Sequence, residues 1–202
     1  MYKTENLENH VLIGKTRDEL ESFAIELGEK PFRGRQLYDW LYRQKIHNVN
    51  RMTNLPRLFK ASLNTNSVIH PLKEISQIES ETQKTQKFIF ERLDGKQIES
   101  VIIKKDNRVT VCLSTQVGCS LDCGFCATGQ MSFSGNLSVG EIVDQYLRLE
   151  KISPNPITNI VFMGMGEPFS NYNNTIFAAR MLNDSDGINL GAARITISTA
   201  GI

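Results

Sequence analysis

Cys119, Cys123 and Cys126, in the stretch "VGCSLDCGFCATG", stand with three and then two residues between them on one short loop. In a chain of this size, thiols packed so closely hold metal or carry redox chemistry more often than they form a disulfide framework. A structural zinc site closes with four ligands, yet the three histidines, His10, His47 and His70, all lie well upstream. Three thiolates without a fourth instead suit an iron–sulfur cubane in which one iron keeps a position open for a small molecule. The bland alternative is incidental burial of three small side chains, and the close spacing on a glycine-containing loop argues against it.

Other residues invite chemistry less strongly. Cys112 lies seven residues before the first of the three, between Val111 and Leu113, and on its neighbours alone reads as a buried structural thiol. In "GMGEP", Gly166 allows close backbone approach and Glu167 offers a carboxylate that can accept from an ammonium, although such a segment also serves simply to turn a chain. Taken alone, Ser198 in "STAG" reads as structural and Glu99 in "ESVII" as a solvated strand residue.

The elements that must position these groups follow from periodicity. "TRDELESFAIELG" has a Thr cap, an acidic first turn and a closing Gly28, and a second helix around "RGRQLYDWLYRQ" follows Pro31, so residues 16–63 read as a small helical unit. "KFIFERL" and "QIESVIIKK" alternate like strands, with Asp94-Gly95 placed for a hairpin turn between them. From about residue 108 strands and helices alternate. "RVTVCLSTQ", "TNIVFMGMGEP" and "ARITISTAG" are strands, and "LSVGEIVDQYLRLEKI", capped by Ser138 with Glu141 three residues on, and "NYNNTIFAARMLND" are helices. That alternation predicts a parallel α/β sheet with its site at the carboxyl ends of the strands, where the cysteines, "GMGEP" and "STAG" all fall. The expected division is a helical part over 1–70, a β-strand linker over 71–105 and a βα barrel portion over 106–202.

Composition bounds the function. The 202 residues are 40% hydrophobic and carry a net charge of +1, which excludes a disordered chain and predicts globular cores. With no apolar run long enough to span a membrane, and with no basic-then-apolar signal pattern in "MYKTENLENH", a soluble cytoplasmic protein is expected. Charge is uneven: residues 1–29 hold three Lys or Arg against seven Asp or Glu, and residues 30–60 hold eight against one. The basic stretch interleaves Arg33, Arg35, Arg43, Lys45, Arg51 and Arg57 with Phe32, Tyr38, Trp40 and Tyr42. That mixture suits a nucleic-acid surface, while Leu37, Trp40 and Leu41 at helical spacing suit a core. We expect the apolar residues to be core and the cations to meet RNA.

Together, "KPFRGRQLYDWLY", "ESVII", "TVCLSTQVGC", "CGFCATG", "ITNIVFMGMGEP" and "TISTAG" resemble, in the right order, the RlmN/Cfr family of the radical S-adenosylmethionine superfamily, and its RlmN branch more than its Cfr branch. The resemblance implies a partial (β/α) barrel with about three of six strands, and a [4Fe-4S] cluster on Cys119, Cys123 and Cys126. It further implies that Gly166, Glu167 and Ser198 contact S-adenosylmethionine, that Glu99 is the proton acceptor, and that Cys112 resolves a covalent RNA–protein adduct by pairing with a methyl-carrying cysteine nearer the C-terminus. The implied activity is methylation at C2 of an adenosine in 23S rRNA and tRNA, with an electron donor as a further partner and a monomeric enzyme. C8 methylation is the alternative within the family. A non-catalytic RNA-binding protein with a metal-stapled loop is the alternative outside it. No cysteine follows Cys126, so the chain is expected to be the N-terminal part of such an enzyme and inactive alone.

Overall fold

The computed structural model describes residues 10–82, 84–121 and 123–202. The opening residues 1–9, on which the absence of a signal pattern and part of the acidic count rest, lie outside the described residues.

Thr16 starts α1 (Arg17–Glu26) through a reciprocal capping box with Glu19, and Gly28 leaves the helix at φ +80°. α2 (Phe32–Tyr38) runs on into one π-helical turn, Asp39–Arg43, and α3 spans Arg57–Asn66. Gly34 is required where α2 crosses α1, because a Cβ there would stand 2.3 Å from the Glu21 backbone nitrogen. The layer buries Leu20, Phe23, Leu37, Leu41, Phe59 and Leu63, which holds the three helices together.

Six strands follow in one sheet: β1 (Leu72–Glu79), β2 (Thr85–Arg92), β3 (Gln97–Lys105), β4 (Arg108–Cys112), β7 (Asn159–Phe162) and β8 (Ile195–Ile197). β1 to β4 form an antiparallel meander, and β4, β7 and β8 run parallel. Two short strands, β5 (Gln116–Val117) and β6 (Gly135–Asn136), pair with each other beside it. The connections between the parallel strands carry α4 (Val139–Ile152) and α5 (Tyr172–Asn183), as the alternation predicts. The expected hairpin is present, with a three-residue turn in which Gly95 takes φ +81°. β1 is an additional strand that the sequence reading did not anticipate.

One face of the sheet is covered. Phe88, Phe90, Ile98, Ile102, Val111, Ile160 and Phe162 are all buried, together with Ile142, Val143, Tyr146 and Leu147 of α4. The helical layer is seated on α4. Added Cβ atoms at Gly14 and Gly140 would lie 2.5 Å from Gly140 Cα and 2.2 Å from the Ile13 carbonyl oxygen, so backbone meets backbone there. Asp144, fully buried on α4, accepts from His70 Nδ1 at 2.5 Å and from the Leu72 amide at 3.1 Å. Among the described residues no helix is long and apolar enough to cross a membrane.

Candidate active site

The strand ends at the carboxyl side of β4, β7 and β8 are tied to one another by backbone and by small polar side chains. After β4 the chain enters the cysteine loop through β5 and leaves it through β6, so the loop is closed at its base: Ser134 N–H donates to the Val117 carbonyl at 2.8 Å. Gly118 turns into the loop at φ +71°, where a Cβ would fall 2.2 Å from the Ser132 carbonyl oxygen. Beyond β7, Thr115 and Gln116 amides both donate to the Met165 carbonyl, at 2.8 and 3.1 Å. Gly166, at φ +98°, leaves only 2.4 Å between a hypothetical Cβ and the Gln116 Cβ. Gln116 therefore packs directly on the "GMGEP" backbone, and its Oε1 accepts from the Glu167 amide at 3.0 Å.

Glu167 is buried and accepts from three donors of the chain. Its Oε1 accepts from Thr199 Oγ1 at 2.6 Å and the Phe169 amide at 2.8 Å, and its Oε2 from the Ala200 amide at 2.9 Å. Burial pushes the carboxyl up, but the Thr199, Ala200 and Phe169 donors outweigh it and hold the group below its usual value. Three of the roughly four acceptor positions of a carboxylate are thus filled. Ser198 sits just past β8 and is exposed.

Cys112 and Glu99 share the uncovered face of the sheet. Val101 pairs with Cys112, and Glu99 lies two residues before Val101, which places its side chain on the same side. The Glu99 carbonyl accepts from Ser114 Oγ at 2.5 Å, and Ser114 is held in turn by Gln145, so the strand carrying Glu99 is anchored beside the end of β4. Burial pushes the Cys112 thiol up, against a hydrogen bond from the Met163 amide. The loop cysteines are all partly exposed and unpaired, and the amides of Gly129 and then Thr128 hold Cys126 below the usual thiol range. Phe125, beside Cys126, is 95% exposed.

Three comparisons bear on this geometry. The ribosomal RNA large subunit methyltransferase N-terminal domain matches residues 10–69, and the radical SAM superfamily matches residues 113–202. Probable dual-specificity RNA methyltransferases RlmN from Leptospira interrogans and Thermotoga neapolitana are both 46% identical, over 95% of this chain, and cover 55% and 56% of their own lengths. The chain belongs to the RlmN family of radical SAM proteins. A radical SAM methyltransferase from Sphaerobacter thermophilus, 40% identical, superposes with a TM-score of 0.88 over 96% of this chain and 57% of its own. The chain spans about half the length of the curated relatives it matches.

The cofactors of the radical SAM family are a [4Fe-4S] cluster and S-adenosylmethionine, and the residues here fit them. Three partly exposed thiols occupy one loop, one of them held below the usual thiol range by backbone amides, and among the described residues no three His, Cys, Asp or Glu side chains converge on a single-ion site. A lone zinc would need its ligands gathered at about 2.3 Å from one point, whereas a cluster spreads its thiolates over different irons.

In the RlmN-type helical layer, the basic stretch is less cationic in space than in sequence. Arg35 pairs with Glu21 at 2.9 Å, Lys45 with Glu150 at 2.6 Å, Arg43 with Asp39 at 3.8 Å and Arg33 with Glu29 at 3.9 Å. Tyr38, Trp40 and Tyr42 are buried, as expected of core. Arg51 and Arg57 are exposed and form no ion pair among the described residues. Gln116, Thr199 and Lys87 were not singled out from sequence. Gln116 and Thr199 lie inside the motifs "STQVGC" and "STAG", so position within a motif was their signal. Lys87 lies in an ordinary strand and had none.

Proposed function

We propose that these residues are the cluster-binding and RNA-recognising part of a cytoplasmic, monomeric methyltransferase that places a methyl group on C2 of an adenosine in 23S rRNA and in tRNA. The observation that carries the reading is the joining of the three-cysteine loop to "GMGEP" and "STAG" at one end of a parallel sheet, with Glu99 and Cys112 on the sheet's uncovered face. Cys119, Cys123 and Cys126 would hold the cluster. When bound, the cluster and S-adenosylmethionine supply a 5′-deoxyadenosyl radical, using an electron from an external donor.

The chain's own residues do the rest. Gly166 lets the backbone come close to the cofactor, Glu167 both ties the two strand ends together and contacts the amino end of S-adenosylmethionine through its remaining acceptor position, and exposed Ser198 is available for contact. Glu99 receives the proton, and Cys112, its thiol pushed up by burial, awaits the thiol exchange that resolves the adduct. With these roles filled, none of the four cysteines in the chain is left to carry a methyl group, so these residues alone form the cluster without methylating RNA. The helical layer contributes RNA binding, with residues 1–70, 71–105 and 106–202 as recognition, linker and barrel parts.

The test is anaerobic reconstitution, then incubation with reductant, S-adenosylmethionine and unmodified RNA, alone and beside a protein that supplies the further cysteine. Nucleoside mass spectrometry should find 2-methyladenosine only in the second case. 8-Methyladenosine, or a colourless protein carrying zinc, would overturn the reading.

A further inference from the structure

One transverse row crosses the sheet on its uncovered face: Ile78, Lys87, Val101, Cys112, Val161 and Thr196 are successive register partners. Five of the six are apolar, thiol or hydroxyl side chains, and Lys87 is the one charge. Its ammonium does not point straight outward. It reaches diagonally to Glu99, with Nζ 3.0 Å from Oε2, and both side chains are 43% exposed. Among the described residues Glu99 has no other ion-pair partner, and neither does Lys87. The other acid on this side of β2 and β3 is Glu91, opposite Gln97, and it would repel rather than hold the Glu99 carboxylate.

A pair this exposed contributes little to stability, so a stabilising role does not account for it. Its effect is geometric. Glu99 has three freely rotating side-chain torsions and, apart from Lys87, its carboxylate has no hydrogen-bond or ion-pair partner among the described residues. Remove the ammonium and the carboxylate samples several rotamers; keep it and the acceptor oxygens stay beside the Cys112 row. We propose that Lys87 is the positioning residue that holds Glu99 as proton acceptor, an inference that rests on the Glu99 role given above. Lys87 acts through Glu99 and moves no proton itself.

The contact can be tested on this chain without any cofactor. A water-soluble carbodiimide activates a carboxylate, an amine in contact displaces the resulting urea, and an amide forms with net loss of one water to the reagent. Peptide mass spectrometry should find the Lys87–Glu99 cross-link, absent in Glu99→Gln. If Lys45–Glu150, 2.6 Å apart, couples in the same sample and Lys87–Glu99 does not, the proposal fails.

In the cluster-loaded enzyme supplied with the further cysteine, Lys87→Met should lower kcat about tenfold, a part of the roughly 10²–10⁴-fold that a positioned base contributes. KM for RNA should hold within about twofold, and Lys87→Arg should recover most of the loss. A raised KM at unchanged kcat would make Lys87 a phosphate contact and overturn the proposal. Undiminished methylation by Glu99→Gln would remove the base role on which the proposal rests. An impaired Glu99→Gln beside an undiminished Lys87→Met would defeat the proposal alone.

Discussion

Glu167→Gln isolates the clamp between the second and third parallel strands. The carboxylate accepts three hydrogen bonds, from Thr199 Oγ1, the Phe169 amide and the Ala200 amide. A glutamine amide has a single acceptor oxygen. If that oxygen keeps Thr199 and Phe169, the NH2 group meets the Ala200 N–H donor to donor, one charge-assisted bond is lost and the other two become neutral. At about 1.5–3 kcal/mol for a bond to a charged group and about 1 kcal/mol for a neutral one, the expected loss is about 2.5–7 kcal/mol, with the lower part of that range expected for a site near the surface. For a chain of this length a ~3 kcal/mol loss lowers Tm by about 6–12 °C.

The sign of the pH dependence follows from the depressed carboxyl. Its stabilisation is complete above the usual value of 4.5 and disappears as pH falls through the lower folded-state value. Urea unfolding of both proteins at pH 7 and at descending pH, with hydrogen exchange read at Ala200, measures both effects. A difference below about 0.5 kcal/mol at pH 7, or a gap that stays constant into acid, would refute the clamp.

Alanine at Cys119, Cys123 or Cys126 should abolish the visible absorbance of the reconstituted protein while Cys112→Ala keeps it; equal iron loss in Cys112→Ala would make that thiol a fourth ligand. Gly140→Ala should cost about 1–3 kcal/mol in urea unfolding, because its Cβ would stand 2.2 Å from the Ile13 carbonyl oxygen. Removing Arg51 and Arg57 together should reduce the slope of log affinity for RNA against log salt by about 1.4–1.8, whereas Arg35→Ala, whose charge Glu21 already answers, should hardly change it. Burial, then the neighbouring His70, lowers His47 to about 4, so folding stability should fall as pH drops from about 6.5 towards 4; His47→Phe should flatten that part of the curve.

The cysteine loop, the three parallel strands and both crossover helices were legible because each carries a local mark: ligand spacing, a run of β-branched residues, or a capping box such as Ser138 with Glu141. β1 was not legible, because it lies at the sheet's edge with Leu72 as its one buried residue, and its charged residues suit an exposed edge rather than an alternating strand. Nor could sequence show that Arg35 and Lys45 are answered by acids from α1 and α4, since Arg35 and Glu21 lie on different helices and Lys45 and Glu150 are 105 residues apart. The Lys87–Glu99 contact has the same origin: it depends on register, which a strand's composition does not specify.

Where residues 13 and 14 lie on the first turn of α4, no side chain separates the two backbones. A joint of that kind has no rotamers in which to slip, so the chain that leads into the helical layer has one fixed seat on α4. On the reading proposed above, in which the layer grips RNA and the thiols hold the cluster, the span between the two is a caliper locked at one opening, and an RNA would be selected by how far its adenosine lies from the grip point, a length rather than a string of bases.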